Sequence, residues 1–214
     1  MTTNQDRRKA DLTRVARARG LRSFVIASGL WGVWGQSVGI GTAVFTGFAL
    51  SLGADAAYIA LLTSVAYVLA TIQLVSPLLG QHVHSKKRFI LWLGFGECLF
   101  RGSVVLIPLL ILSNAHLPAL LLITALSLAC SQLISPLFNT WIANTVPTTI
   151  RARFTSQQTT VSTVVSVIAG FLIGWFHDLF PEHSKYEGFV VVFGVGALFG
   201  MLGYLTLLRA PFAH

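Results

Sequence analysis

The sequence predicts an all-α membrane protein with six transmembrane helices. Of its 214 residues, 54% are hydrophobic and only 10% are charged, against about 25% charged in soluble chains, and mean hydropathy is +0.74. The apolar residues gather into six runs, at 24–50, 56–79, 89–112, 117–146, 155–176 and 188–208. Each is about 20 residues or longer, enough for a helix to cross ~30 Å of hydrocarbon at ~1.5 Å per residue. The basic residues sit at the ends of these runs. The net charge of +8 therefore reads as a topology signal and not as a nucleic-acid-binding face, and no nucleic-acid partner is expected.

Residues 1–22 form a polar tail with Arg7, Arg8, Lys9, Arg14, Arg17, Arg19 and Arg22 against Asp6 and Asp11. Residues 11–19 fit a short basic helix on the membrane surface, or a solvated tail that only sets orientation. The first apolar run is too long for the h-region of a signal peptide and lacks a clean small-residue cleavage site, so it is expected to stay in the chain. Residues 23–214 then form the transmembrane domain. With the runs crossing in alternation, thirteen Lys and Arg fall on one side and Lys185 alone on the other. The positive-inside rule puts both termini in the cytoplasm of a multi-pass protein of the inner membrane.

The third run carries the only charges inside any run, Glu97 and Arg101. They lie four apart on one helical face, the acid N-terminal to the base, which favours an intrahelical ion pair. Each charge costs ~2.5–3.5 kcal/mol at a helix centre, so that face belongs in a bundle interior or a wet cavity. The first run is glycine-rich, with Gly35 and Gly39 as a small-xxx-small pair, and Gly196 with Gly200 forms another in the sixth. In the fifth run Gln158, Ser162, Ser166, Gly170 and Gly174 recur at every fourth position. This ridge reads either as close packing between helices or as a sliding seam between two halves of a larger assembly. Pro136 should weaken or kink the fourth helix. Cys98 and Cys130 read as small packing residues without a disulfide.

Segment 76–89 contains Gly80, His84 and the basic cluster Lys86, Lys87 and Arg88. It resembles the cytoplasmic loop between helices 2 and 3 of the major facilitator superfamily: a glycine, a leucine two residues on, an aspartate, a second glycine and a basic cluster. Gly80 and the cluster match, while His84 stands at the aspartate position and Lys87 replaces the second glycine. Segment 48–54 is similar to the end of helix 1 in bacterial members. Segment 135–154, with Pro136, Asn139, Trp141, Pro147, Arg151 and Arg153, is similar to their helix 4 to helix 5 turn.

The resemblance implies half of a major facilitator fold, six helices arranged as a 3+3 inverted repeat. It implies solute transport by alternating access, by a half-transporter acting as a homodimer or with a separate C-terminal half. Glu97 and Arg101 would line or support the central path, joined by Trp31, Gly35, Gln36, Gln132, Asn139 and Trp141 from helices 1 and 4. Gly80, His84, Lys86, Lys87 and Arg88 would form the cytoplasmic gate loop. In the family the loop aspartate helps hold the gate by charge contacts, so His84 implies a weaker or pH-sensitive contact, unless it is an ordinary solvated histidine. Ser162, Ser166, Gly170 and Gly174 would form one seam between halves, since a lone half would turn its polar face to lipid. The other class is a truncated or non-transporting membrane subunit in which the Glu97–Arg101 pair is structural. No Ser/His/Asp arrangement, metal-ligand spacing or phosphate loop is present, so no enzyme activity, cofactor or metal is expected. The partners expected are the lipid bilayer and a small-molecule substrate that the sequence does not identify.

Overall fold

The computed structural model describes the backbone of residues 4–83, 85–181 and 184–210, with side chains from residue 20 onward except that of His82. Nine α-helices lie among the described residues, and no strand. They are α1 (Asn4–Val38), α2 (Ala43–Ser51), α3 (Ala56–Ala70), α4 (Ser76–His82), α5 (Lys86–Ser103), α6 (Ile107–Leu110), α7 (His116–Thr145), α8 (Thr148–Asp178) and α9 (Lys185–Thr206). Joined by short 3₁₀ turns, they give six segments long and apolar enough to cross a membrane: Gly20–Ser51, Ala56–Leu74, Lys86–Leu110, Ser113–Thr145, Thr148–Asp178 and Lys185–Arg209.

The tail does not form a separate surface helix. The backbone of α1 is continuous from Asn4 to Val38, because residues 4–22 hold good helix formers and no proline. The first span then breaks at 39–42. Gly41 adopts φ +86°, a left-handed conformation open to glycine, and the Thr42 hydroxyl accepts from the Phe45 N–H at 3.3 Å to start α2. The chain reverses at Gly53, φ +90°, and Asp55 caps α3 by accepting from the Tyr58 N–H at 2.7 Å. The third span narrows to a 3₁₀ turn at Val104–Leu106, just before Pro108. α7 runs through Pro136 without interruption. The ring disturbs the carbonyls one turn back, and there the Ser76 hydroxyl donates to Leu133 O at 2.6 Å.

The centre of the bundle is made by α1, α5, α7 and α9. α1 packs on α8 and α9, α5 on α7 and α9, and α3 and α4 on α7. α3 and α8 flank this core and are the most exposed spans. Two aromatic clusters fill it. At the end bearing Lys87 and Arg151, hereafter the basic end, Phe24 meets Phe138, Trp141 and Phe154 edge-on at 5.7, 5.2 and 6.4 Å. Toward the other end Phe48 meets Phe189 and Phe193 at 5.5 and 5.2 Å. Glycines let α9 come close. A Cβ at Gly200 would lie 2.7 Å from Cys98 Sγ, and one at Gly196 would lie 2.9 Å from Ser37 Oγ, both inside contact distance, so side chains there would push the helices apart.

Candidate functional site

Glu97 and Arg101 lie in the bundle interior, 5% and 7% exposed. The face that carries them on α5 is covered by α7 and α9. The Glu97 carboxylate accepts the Tyr204 hydroxyl proton at 2.8 Å, and the Ser127 hydroxyl donates to the Glu97 backbone carbonyl at 3.2 Å. Tyr204 was not among the residues singled out in the sequence. It does continue the every-fourth-residue register of Gly196 and Gly200, so it lies on the closely packed face of α9. Its ring rests on Gly94, where any Cβ would clash with it. The Arg101 Nε and Nη2 are buried with no hydrogen-bond partner, as is the hydroxyl of Thr124, 1% exposed. The expected Glu97–Arg101 bond is therefore not made through these two nitrogens. The phenol is one hydrogen-bond partner of the acid, and the guanidinium holds unused donors in low dielectric.

The polar surface open to a small molecule lies elsewhere. A groove of about 440 Å³ runs between α1, α7 and α8, lined by Ser28 and Trp31, by Phe138, Asn139, Ile142 and Ala143, and by Arg151, Thr155, Gln158, Thr159, Ser162 and Thr163. It is continuous, through Arg151, Thr155, Thr159 and Thr163, with a wider trough of about 890 Å³ along α8 that adds Thr148, Ser156 and Thr160. Along this helix the exposed face is hydroxyl-rich from Thr148 to Thr163, then turns apolar at Val164, Val167, Ile168, Phe171, Leu172 and Trp175. At ~1.5 Å per residue, the polar half climbs ~22 Å from the basic end, about the middle of the span. Among the described residues no carboxylate lines the groove. Its chemistry is that of hydroxyls, amides and two aromatic faces, with Arg151 at the mouth. That guanidinium donates through Nη2 to Ala143 O at 2.7 Å and Val146 O at 3.3 Å, satisfying carbonyls at the end of α7.

Of the sequence-predicted path residues, Trp31 and Asn139 line this groove. Gly35 is exposed, with open space where a Cβ would stand, and Gln36 lies against Gly170. The Gln132 amide oxygen accepts from Gln73, tying α7 to the second span. Trp141, 1% exposed, is packed in the aromatic core. The groove and its back wall still communicate, because Trp31 packs on Phe138 at 5.2 Å and on Tyr204 at 4.9 Å. The residues missed were Ser28, Arg151, Thr155, Thr159 and Thr163. The signal for the threonines was their own four-residue spacing, one position off the ridge.

That ridge, Ser162, Ser166, Gly170 and Gly174, faces α1 of the same chain along most of its length. The Ser166 hydroxyl donates to Gly32 O at 3.2 Å, and a Cβ at Gly32 would lie 2.8 Å from Ser162 O. Above Gly174 there is open space. The Gln158 amide donates to the Ser28 hydroxyl at 3.0 Å. Gly80 does not lie in a loop but in α4, under Leu137, and Lys86, Lys87 and Arg88 form the first turn of α5. Lys87 donates to Leu208 O and Ala210 O, both at 2.8 Å, and sits 5.8 Å from the centroid of the Trp141 ring. It thus caps the carbonyl end of the last helix. Lys86 and Arg88 are exposed, and His84 lies outside the described residues. Compared with known proteins, the chain matches no family model, no curated protein and no solved structure.

Proposed function

We propose that this chain is one six-helix half of a solute transporter of major facilitator type, working by alternating access as a homodimer or with a separate C-terminal half. One observation carries the reading. A membrane-spanning helix exposes hydroxyls from one end to about its middle and apolar side chains beyond, beside a polar groove shared with two other spans. Lipid offers no partners for such a surface, whereas a water-filled cavity closed at mid-membrane does. The groove is the solute site, with Trp31 and Phe138 as its apolar wall and Asn139, Gln158 and Ser162 as its hydrogen-bonding wall. The basic end faces the cytoplasm of an inner membrane, by the distribution of Lys and Arg.

The contact pattern supports the inverted repeat. Exchanging the first three spans with the last three turns the α1–α8 contact into α7–α3, turns α1–α9 into α7–α5, and leaves α5–α9 unchanged. The seam polar groups follow, with Gln158 on Ser28 in one pair and Gln73 on Gln132 in the other. A second copy or a C-terminal half would close the trough along the hydroxyl face of α8.

The test is uptake from a defined pool of small metabolites into proteoliposomes, read by mass spectrometry against empty vesicles. Transport predicts enrichment of one solute class, lost in Asn139→Ala with Gln158→Ala. Wild-type protein that enriches nothing, alone or co-expressed with a candidate second half, would remove the reading. One observation favours the alternative, a non-transporting subunit. The Glu97–Tyr204 bond joins α5 to α9 in a closed core and lines neither the groove nor the trough, as a structural tie would.

A further inference from the structure

At the basic end a second cleft, of about 440 Å³, opens on the other side of α8, between the start of that helix and α1. Its walls are Leu21, Val25, Ile150 and Phe154, and its polar groups are Arg22, Arg153 and Gln157. Three features point to an anion. Two arginines from different helices line one cavity, and among the described residues no carboxylate does. The Pro147 cap of α8 makes no side-chain bond and the first turn holds no acid, so the helix itself leaves its positive end beside Ile150 and Arg153 without a countercharge. The apolar wall continues into the membrane-facing part of both helices, since Arg22 and Arg153 stand at the basic ends of their spans. Paired forked donors beside apolar walls at the depth of the headgroups suit a phosphate bearing acyl chains.

We propose that this cleft binds the phosphate of an anionic phospholipid of the leaflet on the basic side, with Arg22 and Arg153 as its two anchors and Leu21, Val25 and Phe154 against the first acyl carbons. The inference rests on the membrane reading alone and is independent of transport. It differs from a general attraction of basic residues to an anionic surface, because Lys86, Arg88 and Arg209 share the basic end but do not line the cleft.

The experiment uses the full chain in mild detergent, titrated with phosphatidylglycerol, phosphatidylcholine or inorganic phosphate. Bound lipid is read by native mass spectrometry and thermal stability by intrinsic fluorescence. One phosphatidylglycerol should be retained and should raise the melting temperature, with phosphatidylcholine having little effect. Arg22→Gln with Arg153→Gln should weaken binding at least about tenfold. The charge-matched control Arg88→Gln with Arg209→Gln should bind as wild type. Arg22→Lys with Arg153→Lys keeps the charge, should fold as wild type, and should bind with intermediate affinity. Equal loss in the two Gln pairs would reduce the cleft to a diffuse basic surface and overturn the proposal. So would an equal preference for phosphatidylcholine. Stabilisation by inorganic phosphate that phosphatidylglycerol cannot exceed would identify a soluble anion as the ligand and overturn the lipid assignment.

Discussion

Tyr204→Phe removes one hydroxyl and keeps the ring, so the contacts with Gly94 and Trp31 survive. What is lost is the 2.8 Å bond to the Glu97 carboxylate. With Glu97 only 5% exposed, bulk water does not replace the donor. A hydrogen bond to a charged group contributes ~1.5–3 kcal/mol, and an unsatisfied buried acceptor costs a similar amount. We expect a loss of about 2 kcal/mol, which for a domain of about 200 residues lowers the melting temperature by about 4–8 °C. The assay is thermal unfolding in detergent of the wild type, Tyr204→Phe, Glu97→Gln and the double variant. If the bond is the link between the two side chains, the double variant should lose clearly less than the sum of the singles, with a coupling of about 1–2 kcal/mol. Strict additivity, or a Tyr204→Phe melting temperature within about 1 °C of wild type, would refute the assignment of the phenol as the acid's partner.

Three further outcomes follow from the same geometry. Arg101→Ala should destabilise by about 3–5 kcal/mol by leaving a buried carboxylate without its nearby cation, whereas Glu97→Gln with Arg101→Gln should be the better folded of the two variants in the same melting assay. Lys87→Met removes the donor to Leu208 O and Ala210 O and should cost about 1–2 kcal/mol, read as faster limited proteolysis after residue 206 with the rest of the bundle intact. For topology, cysteines at Ser113 and Ser184, with Cys98 and Cys130 replaced, should react with an impermeant thiol reagent in intact cells while one at Ser85 should not. The reverse pattern would invert the orientation.

Much of the fold was legible because the bilayer imposes one strong rule: each span needs about 20 apolar residues. The six runs obey it, and the structure has six spans at the same places. The break at 39–42 was less legible. It depends on which of several glycines takes a positive φ and on Thr42 acting as a cap, and hydropathy is uniform across it. The burial of Glu97 and Arg101 followed from the cost of charge in hydrocarbon, but the acid's hydrogen bond to Tyr204 did not. Spacing along one helix favours Arg101, whereas Tyr204 arrives from a helix 107 residues away in sequence. The small ridge of α8 was legible as a packing surface, and Gly32 and Gly170 set its close approach to α1. The groove was the least legible part. Ser28, Asn139 and Thr159 lie on three helices, and each is an ordinary polar residue until the bundle brings them together.

The proposed transport requires the hydroxyl face of α8 and the groove beside it to be wet from the basic end to mid-membrane. The most direct measurement is the reactivity of single cysteines at Thr159 and Val167, with Cys98 and Cys130 replaced, toward an impermeant thiol reagent in inverted membrane vesicles. Thr159→Cys, on the polar face, should be modified rapidly, and Val167→Cys, two turns further on the apolar face, should be protected. Protection at both positions, with Ser85→Cys reactive in the same vesicles, would mean that lipid and not water covers this face and would contradict the account.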